Sequence, residues 1–373
     1  AADLGGNCCA DLEERVAELE ATAATKGNRK MSLSIYGRVH KGLIWFDNGI
    51  DSDVYAADMD FSGSRVGFEG VATLRPQLSV GFKVQMYTQD QYLSGLTEDD
   101  GITPEDPFGI DYAYWYAADD KLGTLTVGYA DSAADATAEQ DLSGAANWFS
   151  YNNWVTDATS SFHIADGSTG TYPGPVWADV MDVLDAGTTA SVVRYDSPAI
   201  SGFTLSASWG TDDRWDGAVV YSYESEELEF AAAVGYSAVD ENQEGVAGPL
   251  GSTDTLSSSA SIYLPGSGLY AVLAYSTYDA EGSKTGPADD LSAANFYAKL
   301  GIRRKWNDLG ETSLFVDYQR TADYANDGSV GNGWTPTPAG FNDERPSRMC
   351  RGRVSARIAS VRSSATDRSM TFS

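Results

Sequence analysis

Between Ser32 and Asp323, run after run places apolar residues at every second position. In 78–89, Leu78, Val80, Phe82, Val84 and Met86 alternate with Ser79, Gly81, Lys83, Gln85 and Tyr87. A two-residue period belongs to a strand with one apolar and one polar face. About thirteen such runs follow one another, at 32–46, 62–74, 78–89, 110–118, 122–130, 191–197 and 203–210, then at 217–225, 228–238, 255–264, 268–280, 293–306 and 311–323. No segment of helical period interrupts them, and most meet the next across a short link. One antiparallel up-and-down sheet is the topology this predicts.

The apolar face must touch either a soluble core or lipid. Soluble sandwiches use about seven to nine shorter strands, partly joined by long crossings. An open sheet of about thirteen long strands would leave two aggregation-prone edges, which closure removes. Strands of roughly 9–11 residues also match a tilted crossing of a bilayer. Long links rich in Gly, Asp and Pro, such as those after Thr88 and Asp279, contrast with the short links 197–201, 226–227 and 307–309. Short turns at one end and long loops at the other are the pattern of a transmembrane barrel. Aromatic residues gather toward strand ends, at Trp45, Phe46, Tyr129, Trp209, Tyr236, Tyr275, Tyr278 and Trp306, as interfacial girdles do. Aromatic preference for strands explains their number but not their position.

Composition agrees. Mean hydropathy is -0.30, and no window approaches the roughly 18 consecutive apolar residues of a helical membrane span. The net charge of -29 argues against nucleic acid as a partner. Solvating acidic chains are normally poor in aromatic residues, yet here these make up 12%. The start at "AAD" suits the small residues left by a signal peptidase. Cys8, Cys9 and Cys350 have no zinc-ligand spacing.

Residues 1–31 differ from the rest. Leu12, Val16, Leu19 and Ala23, spaced by four, three and four, form a short a/d seam between charged faces. Barely two heptads are marginal alone, so the helix either zips with copies of itself or lies on another surface.

"SRVGFEG" at 64–70, followed by "LSVGFKVQM" at 78–86, resembles the second and third strands of Gram-negative general porins. The leading segment, from Asp3 to the strand at Ser32, looks like the helix that precedes strand one in porins of alphaproteobacterial type. The resemblance extends in layout over about 3–323, with distinctive wording in the first ninety residues. It implies homotrimers of 16-stranded water-filled barrels in the outer membrane, in contact with lipid and lipopolysaccharide. It also implies a third loop folded inward, here 131–190, whose acidic residues include Asp135, Glu139, Asp141, Asp157 and Asp166.

The polar strand faces carry cations: Arg38, Arg65, Lys83, Arg194, Lys299 and Arg303 each lie opposite apolar neighbours. A charge on the lipid face costs about 2–4 kcal/mol at midplane, so these side chains are expected inside. Cations facing an acidic loop would set a transverse field across a constriction. Solvated residues on any half-exposed sheet would carry the same pattern. With an acidic loop and an acidic chain, weak cation preference is expected for small hydrophilic solutes and ions.

The C-terminus departs from the porin pattern. The barrel is expected over 32–341. The segment 342–373 is basic and ends with Phe372 in the penultimate place, where the family has a terminal Phe. Val354, Ala356 and Ile358 still alternate with Arg353, Ser355 and Arg357, enough for one strand. The abrupt change suggests an altered reading frame, which resequencing the gene would test.

Catalysis finds little support. The two histidines, His40 and His163, show no nucleophile–base–acid arrangement. Asp99, Asp100, Glu105 and Asp106 lack the spacing of a calcium loop. No enzyme activity, metal or cofactor is expected. A plugged barrel with a structural or cell-wall-anchoring role is the competing class.

Overall fold

The computed structural model describes residues 31–47, 51–58, 63–88, 96–97, 108–145, 162, 185–239, 250–282, 291–307, 310–322, 349–350, 355–359 and 370–372. The seam residues Leu12, Val16, Leu19 and Ala23 lie outside them, as do Cys8, Cys9, His163 and the acids at 99–106.

Among the described residues, eighteen strands are formed. The first nine are β1 (Met31–Arg38), β2 (Lys41–Asp47), β3 (Ser52–Asp58), β4 (Arg65–Arg75), β5 (Leu78–Thr88), β6 (Phe108–Asp119), β7 (Gly123–Asp131), β8 (Thr189–Asp196) and β9 (Phe203–Gly210). Then come β10 (Trp215–Glu224), β11 (Glu229–Val239), β12 (Leu250–Leu264), β13 (Leu269–Gly282), β14 (Leu291–Asn307), β15 (Gly310–Ala322), β16 (Met349–Cys350), β17 (Ser355–Ala359) and β18 (Met370–Phe372).

One sheet runs from β16 through β15 in sequence order down to β4, then β1 and β18, with β17 also on the edge of β15. It is the sheet of a transmembrane up-and-down barrel. The expected thirteen runs are its thirteen consecutive members, with one correction. The run 32–46 breaks at 39–40 into β1 and β2, and β2 pairs with the unforeseen β3 as a separate hairpin. A hydrogen-bonded chain fixes that hairpin to the main sheet. Lys41 Nζ donates to Asp58 Oδ2 at 2.9 Å, Ser64 Oγ to Asp58 Oδ1 at 2.7 Å, and the His40 N–H to Ser64 Oγ at 2.9 Å. His40 thus stands at a strand break, engaged through its backbone.

The basic C-terminal segment supplies both outer members of the sheet. Ser355–Ala359 pairs with Ser313–Asp317, and Met370–Phe372 pairs with Leu33–Ile35. Both pairings are antiparallel, to strands that run the same way, so β17 and β18 point in the same direction. Antiparallel closure therefore calls for one more strand between them. Residues 360–369, between β17 and β18 in sequence, lie outside the described residues.

The burial pattern is inside out. On β9 the outward Phe203, Leu205 and Trp209 are 49%, 54% and 60% exposed, while Ser206 and Ser208 are buried. Such a surface is stable only against hydrocarbon. Its height is marked by two aromatic clusters. Phe203, Tyr221 and Phe230 are neighbours at the short-turn end, with ring centroids 4.5 and 6.0 Å apart. At the loop end Trp209 is in register with Trp215, whose ring lies 5.3 Å from that of Tyr236. On β9, β10 and β11 the two clusters are six residues apart, or about 20 Å along a strand. A barrel's apolar band is about 25 Å tall.

Links alternate as the sequence predicts, with one exception. The loop-end link between β9 and β10 is a single 3-10 turn, Thr211–Asp213. At the other end, Ser201 and Gly202 take φ of 52° and 89°, the paired left-handed conformation of a tight hairpin turn.

Candidate functional site

The connection between β7 and β8 turns into the barrel. Of its described parts, 132–145 descends the inner wall on a ladder of hydroxyls. Ser257, Ser259 and Ser261 occupy alternate positions on β12, all facing inward and all buried. Thr137 Oγ1 lies 2.5 Å from Ser257 Oγ. The Gln140 N–H donates to Ser259 Oγ at 2.9 Å, and Ser259 Oγ donates to the Thr137 carbonyl at 2.7 Å. The Leu142 N–H donates to Ser261 Oγ at 2.9 Å. Four residues of strand correspond to about 13 Å of descent. A loop segment inside a barrel must pair its own N–H and C=O groups, and serine provides both donor and acceptor in little space. Small residues allow the close fit: Ala138 and Ala145 pack with Tyr263, Tyr270, Val272 and Phe315. A Cβ on Gly235 would strike Thr137.

Three of the six expected lumenal cations meet this loop. Lys299 Nζ pairs with Asp141 Oδ2 at 2.5 Å, and both side chains are almost fully buried. The Lys299 ammonium also lies 4.9 Å from the Phe315 ring centre. Arg303 donates from Nη1 to the Leu142 carbonyl at 3.0 Å and covers the Tyr263 ring at 3.9 Å. The sequence places Lys299 and Asp141 on opposite sides of a water gap. The structure instead joins them in one buried ion pair, because the loop lies directly on β14. Arg303 likewise fastens the loop rather than lining open water.

Arg194 donates from Nη1 to the Ser132 carbonyl at 2.9 Å and is bridged to Asp196 at 2.9 Å, so it holds the start of the loop. Asp131, Asp135, Glu139 and Asp185 interact there as a carboxylate group. Burial, with Asp131, Asp185 and Glu139 beside it, pushes the Asp135 carboxyl up to about 8, against a downward pull from Arg194. Burial also raises Asp185, although Ser257 and the N–H groups of Ala136, Ala186 and Ala138 donate to its carboxylate. Asp157 and Asp166 lie outside the described residues.

The remaining cations stand on a different wall. Across β1, β4, β5 and β6 the registers set inward residues in four rows. From the loop end these are Arg38–Arg65–Tyr87–Gly109, Tyr36–Gly67–Gln85–Tyr112, Ser34–Glu69–Lys83–Tyr114 and Ser32–Val71–Gly81–Tyr116. A bulge opposite Gln85 and Met86 turns Asp111 inward beside Tyr112. Asp111 Oδ2 accepts from Gln85 Nε2 at 2.5 Å and lies 3.6 Å from Arg65 Nη1. Tyr36 Oη donates to Gln85 Oε1 at 2.7 Å, and Tyr112 Oη to Asp131 Oδ2 at 3.1 Å. Lys83 Nζ lies 4.2 Å over the Tyr112 ring. Arg38 donates to the Gly63 carbonyl.

The sequence reading missed the serine ladder, the inward Asp111 and the role of the tyrosines. Their signal was present in "TLSSSASIYL", where serine recurs at every second place, and in strand-interior glycines opposite tyrosines.

A long up-and-down antiparallel sheet with a lipid-facing girdle and a long loop tied against its inner face defines an outer-membrane channel barrel. The model of the family described as Gram-negative porin matches residues 17–337, and the chain belongs to that family. Its location is the bacterial outer membrane. Among solved structures, the anion-selective porin from Comamonas acidovorans is 14% identical, with a TM-score of 0.51 over 79% of this chain and 82% of that one. OmpT of Vibrio cholerae in its trimer form is 13% identical, TM-score 0.47, over 78% and 77% of the two chains. Salmonella typhi OmpF in complex with daunomycin is 13% identical, TM-score 0.45, over 82% and 81%. The comparison with curated proteins returns no match.

Proposed function

We propose that the chain forms a passive diffusion channel for small hydrophilic solutes and ions, with weak cation selectivity. The observation that carries this reading is the docked loop. Its described part lies along β9 and β11–β15, and its cationic contacts there are neutralised by Asp141, Asp196 and backbone carbonyls. Asp131 and Glu139 leave an excess of acid at the start of the loop, to which Asp135 adds as pH rises through about 8. Arg38, Arg65 and Lys83 oppose it from the β1–β6 wall, so the preference for cations is weak. The Comamonas acidovorans porin is anion-selective, and a likeness of 14% identity carries the fold without the sign of its selectivity.

Assembly as a homotrimer is part of the same proposal, with residues 1–31 as a trimerising helix and 342–373 as an atypical basic segment holding an altered terminal strand. Single-channel recording under a salt gradient tests the whole. Ohmic steps in groups of three, with a reversal potential of cation-selective sign, are expected. Correctly inserted protein that carries no current would overturn the channel reading in favour of a plugged structural barrel.

A further inference from the structure

Tyrosines on the inner wall lie across glycines of the neighbouring strand. Tyr36 is in register with Gly67, Tyr87 with Gly109, and Tyr116 with Gly81. In each case a Cβ on the glycine would fall within the tyrosine ring or against its hydroxyl. Only glycine leaves room for a ring to lie flat on the sheet, and a ring lying flat turns its other face to the lumen. Tyr112 and Tyr114 stand between these positions, with ring centroids 6.1 Å apart, and Tyr116 follows 6.5 Å further on. Those steps match two residues of strand. The rows of the wall therefore carry an aromatic residue at each level, from Tyr87 at the loop end to Tyr116 toward the turns.

Charged groups of both signs flank this staircase. Arg65 and Lys83 donate, whereas Glu69, Asp111 and Asp131 accept. Taken along the wall, groups of both signs give no strong preference to an anion or a cation. They suit a ligand whose hydroxyls both donate and accept. The ligand must also have a flat apolar face to lie on a ring, since aromatic contact and a few convergent polar groups are what fix a small molecule in a site.

We propose that this wall is a saccharide-binding track, on which neutral sugar rings lie against the glycine-backed rings of Tyr87, Tyr36 and Tyr116 while passing through the channel. The proposal rests on the open-channel reading for its transport role, though not for binding itself. The test is ion current through the purified protein in a planar bilayer during titration with maltotriose, against polyethylene glycol of equal hydrodynamic size. Saturable block by maltotriose alone is expected.

Tyr116→Leu keeps the space over Gly81 filled but removes the ring. It should raise the half-blocking concentration by about fivefold, the worth of one aromatic contact. Tyr116→Phe keeps the ring and should stay within about twofold of the native protein. Linear slowing equal to that by polyethylene glycol, or unchanged block in Tyr116→Leu, would overturn the track. If the sugar-free protein carries no current, the channel reading fails instead. Calorimetric titration of the detergent-solubilised protein with maltotriose then decides the binding site, with heat of saturable binding supporting it and none overturning it.

Discussion

Lys299 Nζ lies 2.5 Å from Asp141 Oδ2, with both side chains shut away from water beneath the loop. Taking one partner from a buried pair leaves an uncompensated charge, at a cost of about 3–5 kcal/mol. Since side chains tie the loop to the wall while backbone ladders hold the sheet, the cost should appear as release of the loop rather than loss of the barrel. Asp141→Ala should therefore give larger, noisier single-channel conductance with normal heat resistance of the folded barrel. Lys299→Met, which removes the ammonium but leaves Asp141 buried, should do the same. The paired change Asp141→Leu with Lys299→Met should recover quiet openings.

The serine ladder makes a second, milder prediction. Ser259 both accepts from the Gln140 N–H and donates to the Thr137 carbonyl. Ser259→Ala leaves both groups without that partner, at about 1–3 kcal/mol for each unsatisfied group. Protease cleavage within the loop should accelerate in this variant, read by mass spectrometry of the intact folded protein. A cleavage rate equal to the native one would mean the ladder contributes nothing to docking.

Asp135 sets a pH dependence whose sign follows from the raised carboxyl. In the undocked loop the group ionises near 4, the ordinary carboxylate value. In the docked loop it holds its proton up to about 8. Docking is thus most stable below pH about 4 and weakens progressively as pH rises to about 8. Above that pH the added negative charge also strengthens cation preference. Reversal potentials measured from pH 5 to 9 should shift toward greater cation selectivity, and Asp135→Asn should flatten the curve.

The lipid face predicts a depth profile. Leu205 lies between the two aromatic clusters on β9, whereas Trp209 belongs to the loop-end cluster. Leu205→Arg should destabilise folding into lipid vesicles by about 2–4 kcal/mol, and Trp209→Arg by the smaller cost near the interface plus the lost ring. Urea titration followed by tryptophan fluorescence measures the first directly. The second needs a gel-shift readout because it removes a fluorophore.

Most of the barrel was legible because a strand between lipid and water writes its alternation plainly, as on β5 and β9. The strand break at 39–40 was not, since parity continues through it: Met31, Leu33 and Ile35 share a face with Leu43 and Trp45 on either side. The bulge that turns Asp111 inward was equally hidden, because an inserted residue shows only in the register with β5. For the site, Lys299 is buried against the docked loop. What a one-dimensional pattern omits is which wall the loop lies on. Asp141 and Lys299 are joined by a tertiary contact with no sequence spacing of its own, and that contact turns two expected field charges into a fastening.

The rings laid over glycines carry a consequence for how such channels diverge. In a barrel the bore is usually counted in strands, and a strand cannot be added by degrees. Here part of the bore is a matter of furniture: each tyrosine is stowed in a recess one residue wide. Filling the recess at Gly67, Gly81 or Gly109 with a single methyl group would tip the ring into the passage, and shortening the tyrosine would open it. The calibre of the passage can thus be retuned one cross-strand couple at a time, while the hydrogen-bonded frame stays as it is.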